Sequence, residues 1–249
     1  MMKIGASTLA TFNDSLKSSL DFIECLGIEY AELLHQYPNE EFDLDVLNSY
    51  NLKYTIHAPF LDVNIASLSS KSRNNSIEQI KGSIDLANKI DASIVVVHPG
   101  LVPFLLKDQP EKIYDVADES IKEIGRYGQD LGVNATIENM PAFESMIYQD
   151  MTRLNETLEN FDMSMTLDIG HANHSGISPD EMYFDSIKHI HAHDNFGDDD
   201  TRLPLGEGNI ELKHIIDTFE KKNYDGIYMI EVNNKDSIKT SLEYLKNNF

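Results

Sequence analysis

Short apolar runs rich in β-branched residues alternate with longer amphipathic stretches along the whole chain. In the longer stretches apolar residues recur at intervals of three and four positions, which is the period of a helix. This alternation is typical of βαβ units that share a parallel sheet. The predicted strands are Lys3 to Ser7, Ile28 to Leu33, Leu52 to His57, Ser93 to His98, Asn134 to Glu138, Met163 to Asp168, Ile187 to His193 and Ile227 to Glu231.

The stretches between the strands carry helix start and stop signals. Ser76 with Gln79 forms a capping-box pattern that predicts a helix start, and Ser178 with Glu181 does the same further along. Gly132 stands where a helix is expected to stop in a left-handed turn. The other predicted helices are Asn13 to Leu26, Glu41 to Tyr50, Glu111 to Leu131, Asp150 to Phe161, Ile210 to Lys222 and Asp236 to Asn247.

Eight β/α units within 249 residues fit an α/β fold of the (β/α)₈ TIM barrel type. No linker or low-complexity stretch interrupts the pattern, so we expect a single domain over residues 1–249. An open, doubly wound sheet of eight strands is the alternative fold.

Composition and charge narrow the range of partners. The hydrophobic fraction of 41% suffices for a full-sized core, and 20 Lys and Arg against 42 Asp and Glu give a net charge of −22. Such a field repels phosphate backbones and anionic membranes, which disfavours general nucleic-acid or membrane binding. Local cations or bound metal ions can reverse the sign inside one cleft.

Cellular location is predicted from cysteine usage and from the absence of apolar runs. The single cysteine, Cys25, cannot form an internal disulfide, and residues 1–12 show no secretory leader. No apolar run approaches the roughly 18 residues of a membrane span. We therefore expect a cytoplasmic protein without membrane contact.

Ionisable residues end six successive predicted strands. In a barrel of this type the carboxyl ends of the strands form one rim, so these side chains are expected to converge there. Imidazole and carboxylate together suit Zn²⁺, Mn²⁺ and related ions, and without a cation the carboxylates would repel one another. The residues are His57, His98, Glu138, Asp168, His191 with His193, and Glu231.

At these positions the sequence resembles the xylose-isomerase-like TIM-barrel superfamily, which includes sugar isomerases, epimerases and AP endonucleases of the endonuclease IV family. The resemblance spans nearly the whole chain. It rests on IHAPFLDVNIAS (Ile56 to Ser67), VVVHPG (Val95 to Gly100), IENMP (Ile137 to Pro141), LDIGHANHSG (Leu167 to Gly176), HIHAHDN (His189 to Asn195), DTRLPLGEGNI (Asp200 to Ile210) and YMIEVNN (Tyr228 to Asn234).

The resemblance implies a metal centre and one to two divalent ions, Zn²⁺ or Mn²⁺, per chain. The residues that match the central site shared by isomerases and nuclease are Glu138, Asp168, His191 and Glu231. His57 and His98 match the histidines that hold a second ion in nuclease-like members, together with the shared Glu138.

The chain departs from the nuclease pattern at its third ion. His171 and Asp200 match two of that ion's ligands, but Arg202 stands where the last histidine is expected. A guanidinium cannot be a metal ligand, so the resemblance implies instead that Arg202 and His171 contact substrate, as in ketose epimerases.

The leading hypothesis is a divalent-metal-dependent isomerase or epimerase of a sugar or sugar phosphate. It would work by proton transfer through a metal-stabilised ene-diolate, with Glu138 and Glu231 as the acid/base pair. The alternative is a zinc phosphodiesterase of the endonuclease IV type, the one hypothesis that requires DNA as a partner. A catalytically silent sugar-binding barrel is the third. Family members are often oligomeric, so a homo-oligomer is compatible with the resemblance.

The roles of some other polar residues are less clear from the sequence. His193 points to the same side of its strand as His191 and is either a ligand neighbour or packing. Glu32 lies near the end of the second predicted strand and His35 follows it, and the sequence does not decide whether the two side chains face the pocket. Asp198 and Asp199 are expected to be solvated, and the glycine-rich segment 206–209 is expected to be a turn.

Overall fold

Eight parallel strands form a closed barrel in the computed structural model, which describes residues 2–249. Each strand pairs with the next along the chain, and the last pairs with the first. This order confirms the predicted (β/α)₈ barrel and excludes the open sheet. The strands are β1 (Lys3–Ser7), β2 (Tyr30–Leu34), β3 (Lys53–His57), β4 (Ile94–Val97), β5 (Asn134–Glu138), β6 (Ser164–Asp168), β7 (Ile187–Ala192) and β8 (Ile227–Ile230).

The helices surround the barrel and alternate with the strands. None of the described helices is both long enough and apolar enough to cross a membrane. Short 3₁₀ turns lie at Thr8–Thr11, Phe104–Leu106 and Pro179–Glu181. The α-helices are α1 (Leu16–Cys25), α2 (Leu44–Asn48), α3 (Ser70–Lys89), α4 (Pro110–Leu131), α5 (Met151–Phe161), α6 (Ile169–His174), α7 (Leu212–Lys221) and α8 (Lys235–Asn248).

The two faces of each strand have different neighbours. In β5, Ile137 belongs to the apolar core that also contains helix residues such as Ile124. The alternate residues of β5 point into the barrel, where the Thr136 hydroxyl lies 2.7 Å from that of Thr166 and Glu138 lies among histidines. The hydrophobic core therefore lies between barrel and helices, and the barrel interior is free to hold polar groups.

Two predicted helix starts were wrong in detail, and one helix was not predicted. Helix α3 begins at Ser70 with Ser69 as its N-cap, and Ser76 instead accepts a hydrogen bond from the Asn64 backbone amide at 3.0 Å. The capping box of Ser178 forms, but it opens only the 3₁₀ turn at Pro179–Glu181. The unpredicted helix α6 starts directly after β6, because the Asp168 side chain caps it by accepting from the His171 amide.

Gly132 and Gly82, at the end of α4 and inside α3, have different backbone conformations. Gly132 ends α4 with a φ of 72°, as the sequence predicts, and a Cβ added there would meet nothing within 4 Å. Gly82 lies inside α3, and a Cβ added at this position would also have open space around it. Only Gly132 has the left-handed backbone that disfavours other residues.

We predict opposite stability changes for alanine at these two glycines. Gly132→Ala lowers the free energy of unfolding by about 1 kcal/mol because of left-handed strain. Gly82→Ala raises it by about 0.5–1 kcal/mol because alanine loses less backbone entropy in a helix. Urea denaturation followed by circular dichroism measures both midpoints, and shifts of the same sign would contradict the assigned backbone conformations.

Candidate functional site

Four buried side chains meet at the carboxyl-terminal rim of the barrel. Strands β5, β6 and β7 and the residue after β8 each contribute one of them. One donor atom from each lies within 4.8 Å of all the others. The four are Glu138, Asp168, His191 and Glu231, so the structure brings together the residues that the sequence places at the central site.

Asn139 fixes the relative position of two of these carboxylates. Its side-chain amide donates to the Asp168 carbonyl at 3.0 Å, and its carbonyl oxygen accepts from the Asp168 amide at 2.8 Å. The backbone carbonyl of Asn139 also accepts from Nδ1 of His171 at 2.9 Å. The ends of β5 and β6 are thus joined just where Glu138 and Asp168 project into the barrel.

His191 lies at the centre of the carboxylates. Its Nδ1 is 3.0 Å from Oε1 of Glu138 and 3.2 Å from Oε2 of Glu231. Burial would lower the pKa of His191, but the surrounding carboxylates raise it well above its usual value. Burial would likewise raise the pKa values of Glu138 and Glu231. His191 and His98 nevertheless hold the pKa of Glu138 well below its usual value, and Arg202 and His191 do the same for Glu231.

Glu32 lies on the other side of the His191 ring. It belongs to β2, is fully buried, and its Oε1 is 3.1 Å from Nε2 of His191. Its Oε2 accepts hydrogen bonds from Nε2 of His189 at 2.9 Å and from the Thr55 hydroxyl at 3.1 Å. The open question about Glu32 is thereby answered, since it faces the barrel interior. His35 does not, because its ring contacts Ser83 and the Glu40 carbonyl.

A second candidate metal group shares Glu138. Nε2 of His98 lies 3.0 Å from Oε2 of Glu138, and Nε2 of His57 lies 3.6 Å from the same oxygen. Nδ1 of His57 donates to the Ala58 carbonyl at 2.8 Å, which leaves Nε2 facing Glu138. The ring of Phe60 stacks on His98 with centroids 5.1 Å apart. Both histidines predicted from the sequence therefore lie at the site.

Arg202 connects the groups on the opposite side of the site. Its guanidinium pairs with Glu231, lies 3.2 Å from Oδ2 of Asp200 through Nε, and donates to Nε2 of His171 at 3.3 Å through Nη2. No candidate metal group among the described residues includes Asp200. Its role as a metal ligand stays a prediction, and the partners of its carboxylate are Arg202, His171 and His193.

His193 also faces the site rather than the apolar core. Its Nε2 lies 3.0 Å from Oδ1 of Asp168 and 3.3 Å from Oδ1 of Asp200. Gly170 leaves room for the ring, since a Cβ at that glycine would lie 1.9 Å from Cε1 of His193. Asp168, His171 and His193 form a further candidate metal group.

The chemistry of the donor set fits a divalent cation. Oε2 of Glu138 and Oδ2 of Asp168 are buried and receive no hydrogen bond. Asp194, a buried carboxylate just beyond β7, differs because it accepts from the backbone amides of Asn195, Gly206 and Ile210. A structural carboxylate in this chain is thus satisfied by backbone amides, whereas Oε2 of Glu138 and Oδ2 of Asp168 have no amide donor and are suited to a positive partner.

Sequence reasoning missed Asn139 and His189 and left Glu32 undecided. The period of two in HIHAHDN carries a signal for His189, because residues 189, 191 and 193 must share one face of β7. Asn139 has no comparable signal, since its partners on Asp168 are 29 residues away in sequence. The turn at 206–209 holds Asp194 through the Gly206 amide, as expected of a structural turn.

Comparisons with known proteins agree with the barrel geometry. Residues 20–248 match a family described as xylose isomerase-like TIM barrel. An uncharacterized protein of Methanocaldococcus jannaschii is 34% identical to this chain, over 98% of this chain and 88% of that protein. Fructoselysine 3-epimerase of Shigella flexneri is 23% identical over 167 residues, which cover 64% of this chain and 59% of that enzyme.

Solved structures show the same architecture. A D-tagatose 3-epimerase-like protein superposes with a TM-score of 0.89 at 32% identity, covering 99% of this chain and 97% of its own. An L-ribulose 3-epimerase superposes with a TM-score of 0.83 at 16% identity, covering 100% of this chain and 94% of its own. At that lower identity the second likeness concerns the fold alone.

We predict that Asn139 stabilises the site more than an ordinary surface amide. Asn139→Ala removes both hydrogen bonds to the Asp168 backbone and leaves the buried Asp168 amide without its acceptor, so the free energy of unfolding falls by about 2–3 kcal/mol. The control is Asn134→Ala, because Asn134 makes one side-chain hydrogen bond, to Ser164 at 3.2 Å. Equal losses in chemical denaturation would contradict the role of Asn139.

Proposed function

Because the chain belongs to the xylose isomerase-like TIM barrel family, we propose that it is a divalent-metal-dependent isomerase or epimerase of a sugar. The observation that carries this proposal is the buried four-residue group at the barrel rim, with carboxylate oxygens that lack hydrogen-bond donors. A cavity of about 380 Å³ lies beside this group and is lined by His98, His171, Asp200 and Arg202 on one side. A small polyhydroxylated substrate would fit in this cavity, next to the central carboxylates.

The relatives support this reaction class. The solved structure at 32% identity is of a D-tagatose 3-epimerase-like protein, and the Shigella flexneri relative is a fructoselysine 3-epimerase. Both names describe epimerases of ketose-type compounds. For this chain we propose the same class of substrate, a polyhydroxylated ketone, and the same reaction, inversion of a carbon next to the carbonyl.

The proposed metal ligands are Glu138, Asp168, His191 and Glu231, and the ion is Zn²⁺ or Mn²⁺. When bound, a divalent ion supplies Lewis acidity that stabilises negative charge on the substrate oxygen beside the reacting carbon. Two ions per chain are compatible with the second group of His57, His98 and Glu138.

Proton transfer is assigned to the two glutamates. One carboxylate removes the proton from the carbon next to the carbonyl, and the other returns a proton to the opposite face, which inverts that carbon. Arg202 holds Glu231 in place through an ion pair, and the His171 ring is fixed by the Asn139 carbonyl. Arg202 and His171 are proposed to orient the hydroxyl groups of the substrate.

A second candidate function is a zinc phosphodiesterase of the endonuclease IV type. The pairing of His57 and His98 with Glu138 favours it, because a second ion there could activate water for hydrolysis. The net charge of −22 opposes binding of a long DNA duplex. Two or three bound Zn²⁺ ions together with cleavage of an abasic duplex would replace the epimerase proposal with this one.

We predict that Glu138→Gln and Glu231→Gln each abolish turnover while leaving the fold intact. The amide retains the shape of the carboxylate but cannot accept the proton from carbon. Exchange of the substrate proton with D₂O, followed by NMR over a panel of ketoses with the metal-loaded protein, measures the effect, and circular dichroism checks the fold. Undiminished exchange in both variants would overturn the acid/base assignment. Tight sugar binding without exchange in the unaltered protein would favour a silent binding barrel.

We further predict that Glu32 strengthens metal binding through His191. A carboxylate on the far nitrogen of a ligating imidazole orients the ring and raises its basicity, and its loss typically weakens metal affinity by about 10- to 100-fold. Glu32→Gln is therefore expected to raise the Kd for Mn²⁺ or Zn²⁺ in that range, measured by competition with a chelating dye. Glu29→Gln, at an exposed glutamate paired with Lys53, is the control. An unchanged Kd in Glu32→Gln would contradict the role of Glu32.

A further inference from the structure

The cavity beside the central carboxylates has two chemically different walls. His98, His171, Asp200 and Arg202 line the wall next to the site, whereas the opposite wall is formed by loops after β3, β4 and β5. Apart from Asp62 that second wall is apolar, and it consists chiefly of Leu61, Val63, Leu101, Met140, Phe143 and Met146. A polyhydroxylated sugar alone would leave this surface in contact with hydroxyl groups or water.

The apolar wall is held in place by hydrogen bonds from its own loops. The Asn64 side chain donates to the Leu101 carbonyl at 3.0 Å and accepts from the Leu101 amide at 3.0 Å. Buried Gln36 accepts from the amides of Phe60 and Leu61 at 3.0 and 2.9 Å. The wall is therefore a preformed surface, which binds an apolar group at a lower entropic cost than a mobile loop would.

The charge of the cavity disfavours a phosphate. Arg202 is the only Lys or Arg side chain among the described residues that line it, and this guanidinium is already paired with Glu231 and Asp200. A divalent ion at the central site would face the three carboxylates of Glu138, Asp168 and Glu231, so the local charge would stay negative. A phosphate dianion thus meets no unpaired cation in the cavity.

We propose that the substrate is an uncharged ketose-type compound that carries an apolar substituent, with the hydroxylated part at the carboxylates and the substituent against the apolar wall. The inference rests on the proposed epimerase function for the identity of the hydroxylated part. The cavity of about 380 Å³ is at the lower end of the usual range for small-molecule sites, which fits one sugar unit with a short alkyl or aryl group.

The test compares substituents at one position of the sugar. Each of the four D-ketohexoses is offered as the free sugar, the 6-O-butyl ether and the 6-phosphate to the Mn²⁺-saturated protein, and calorimetry gives the Kd. Using all four removes the dependence on stereochemistry. We expect the preferred butyl ether to bind about 10-fold or more tightly than its free sugar, because each buried methylene adds affinity. The 6-phosphate is expected to bind no more tightly than the free sugar.

Variants of the wall separate this preference from general effects. Leu61 and Phe143 are 52% and 37% exposed, so the fold does not depend on them. In the double variant L61A/F143A the butyl ether binds less than about threefold more tightly than the free sugar measured with the same variant. Leu105→Ala, at a side chain that is 89% exposed and outside the cavity lining, retains the full advantage.

Binding measurements test the proposed substrate class, and proton exchange tests the proposed epimerase function. Tighter binding of the butyl ether without any exchange in D₂O would support the substrate class and refute the epimerase function. Exchange with equal affinity for ether and free sugar, or with tighter binding of the phosphate, would overturn the substrate class and leave the epimerase function standing.

Discussion

Negative charge buried at the mouth of the barrel is the constraint on which the site depends. Glu32, Glu138, Asp168 and Glu231 are all nearly inaccessible to solvent, and three of them lie within 3.2 Å of His191. Among the described residues, the only Lys or Arg that pairs with any of them is Arg202. Buried charges of one sign are costly unless they are paired, so this cluster requires positive charge from protons on histidine or from a bound cation.

The barrel accommodates that cluster because the outer faces of its strands contact the helices, whereas the inner faces line the barrel interior. The outer faces of the strands pack against helices and form the apolar core, which contains residues such as Ile137 and Ile124. The inner faces can therefore present threonine, histidine and carboxylate without loss of core packing. Hydrogen bonds beyond the strand ends, such as those of Asn139 to Asp168, hold the polar groups in a fixed arrangement. A rigid frame with unsatisfied carboxylate oxygens is suited to bind an ion and a small substrate.

The sequence predicted the barrel and the residues at its rim because both follow from local patterns. Strand runs ending in His57, Glu138 or Asp168 indicate one polar rim once the barrel is assumed. The start of α3 was misjudged because the apolar stripe begins later than the helix, whose first turns are polar and capped by Ser69. Contacts between distant segments could not be predicted, and Glu32 beside His191 is the main example, since 159 residues separate the two. The apolar wall of the cavity likewise depends on loops that meet only in the folded chain.

Metal content and metal position together test the central claim most directly. The protein is saturated with Mn²⁺ or Zn²⁺, freed of excess ion, analysed for metal per chain, and studied by anomalous X-ray diffraction. We predict at least one ion per chain, bound by Glu138, Asp168, His191 and Glu231. Protein that retains no ion, with His191 protonated between its carboxylates, would contradict the proposed metal centre.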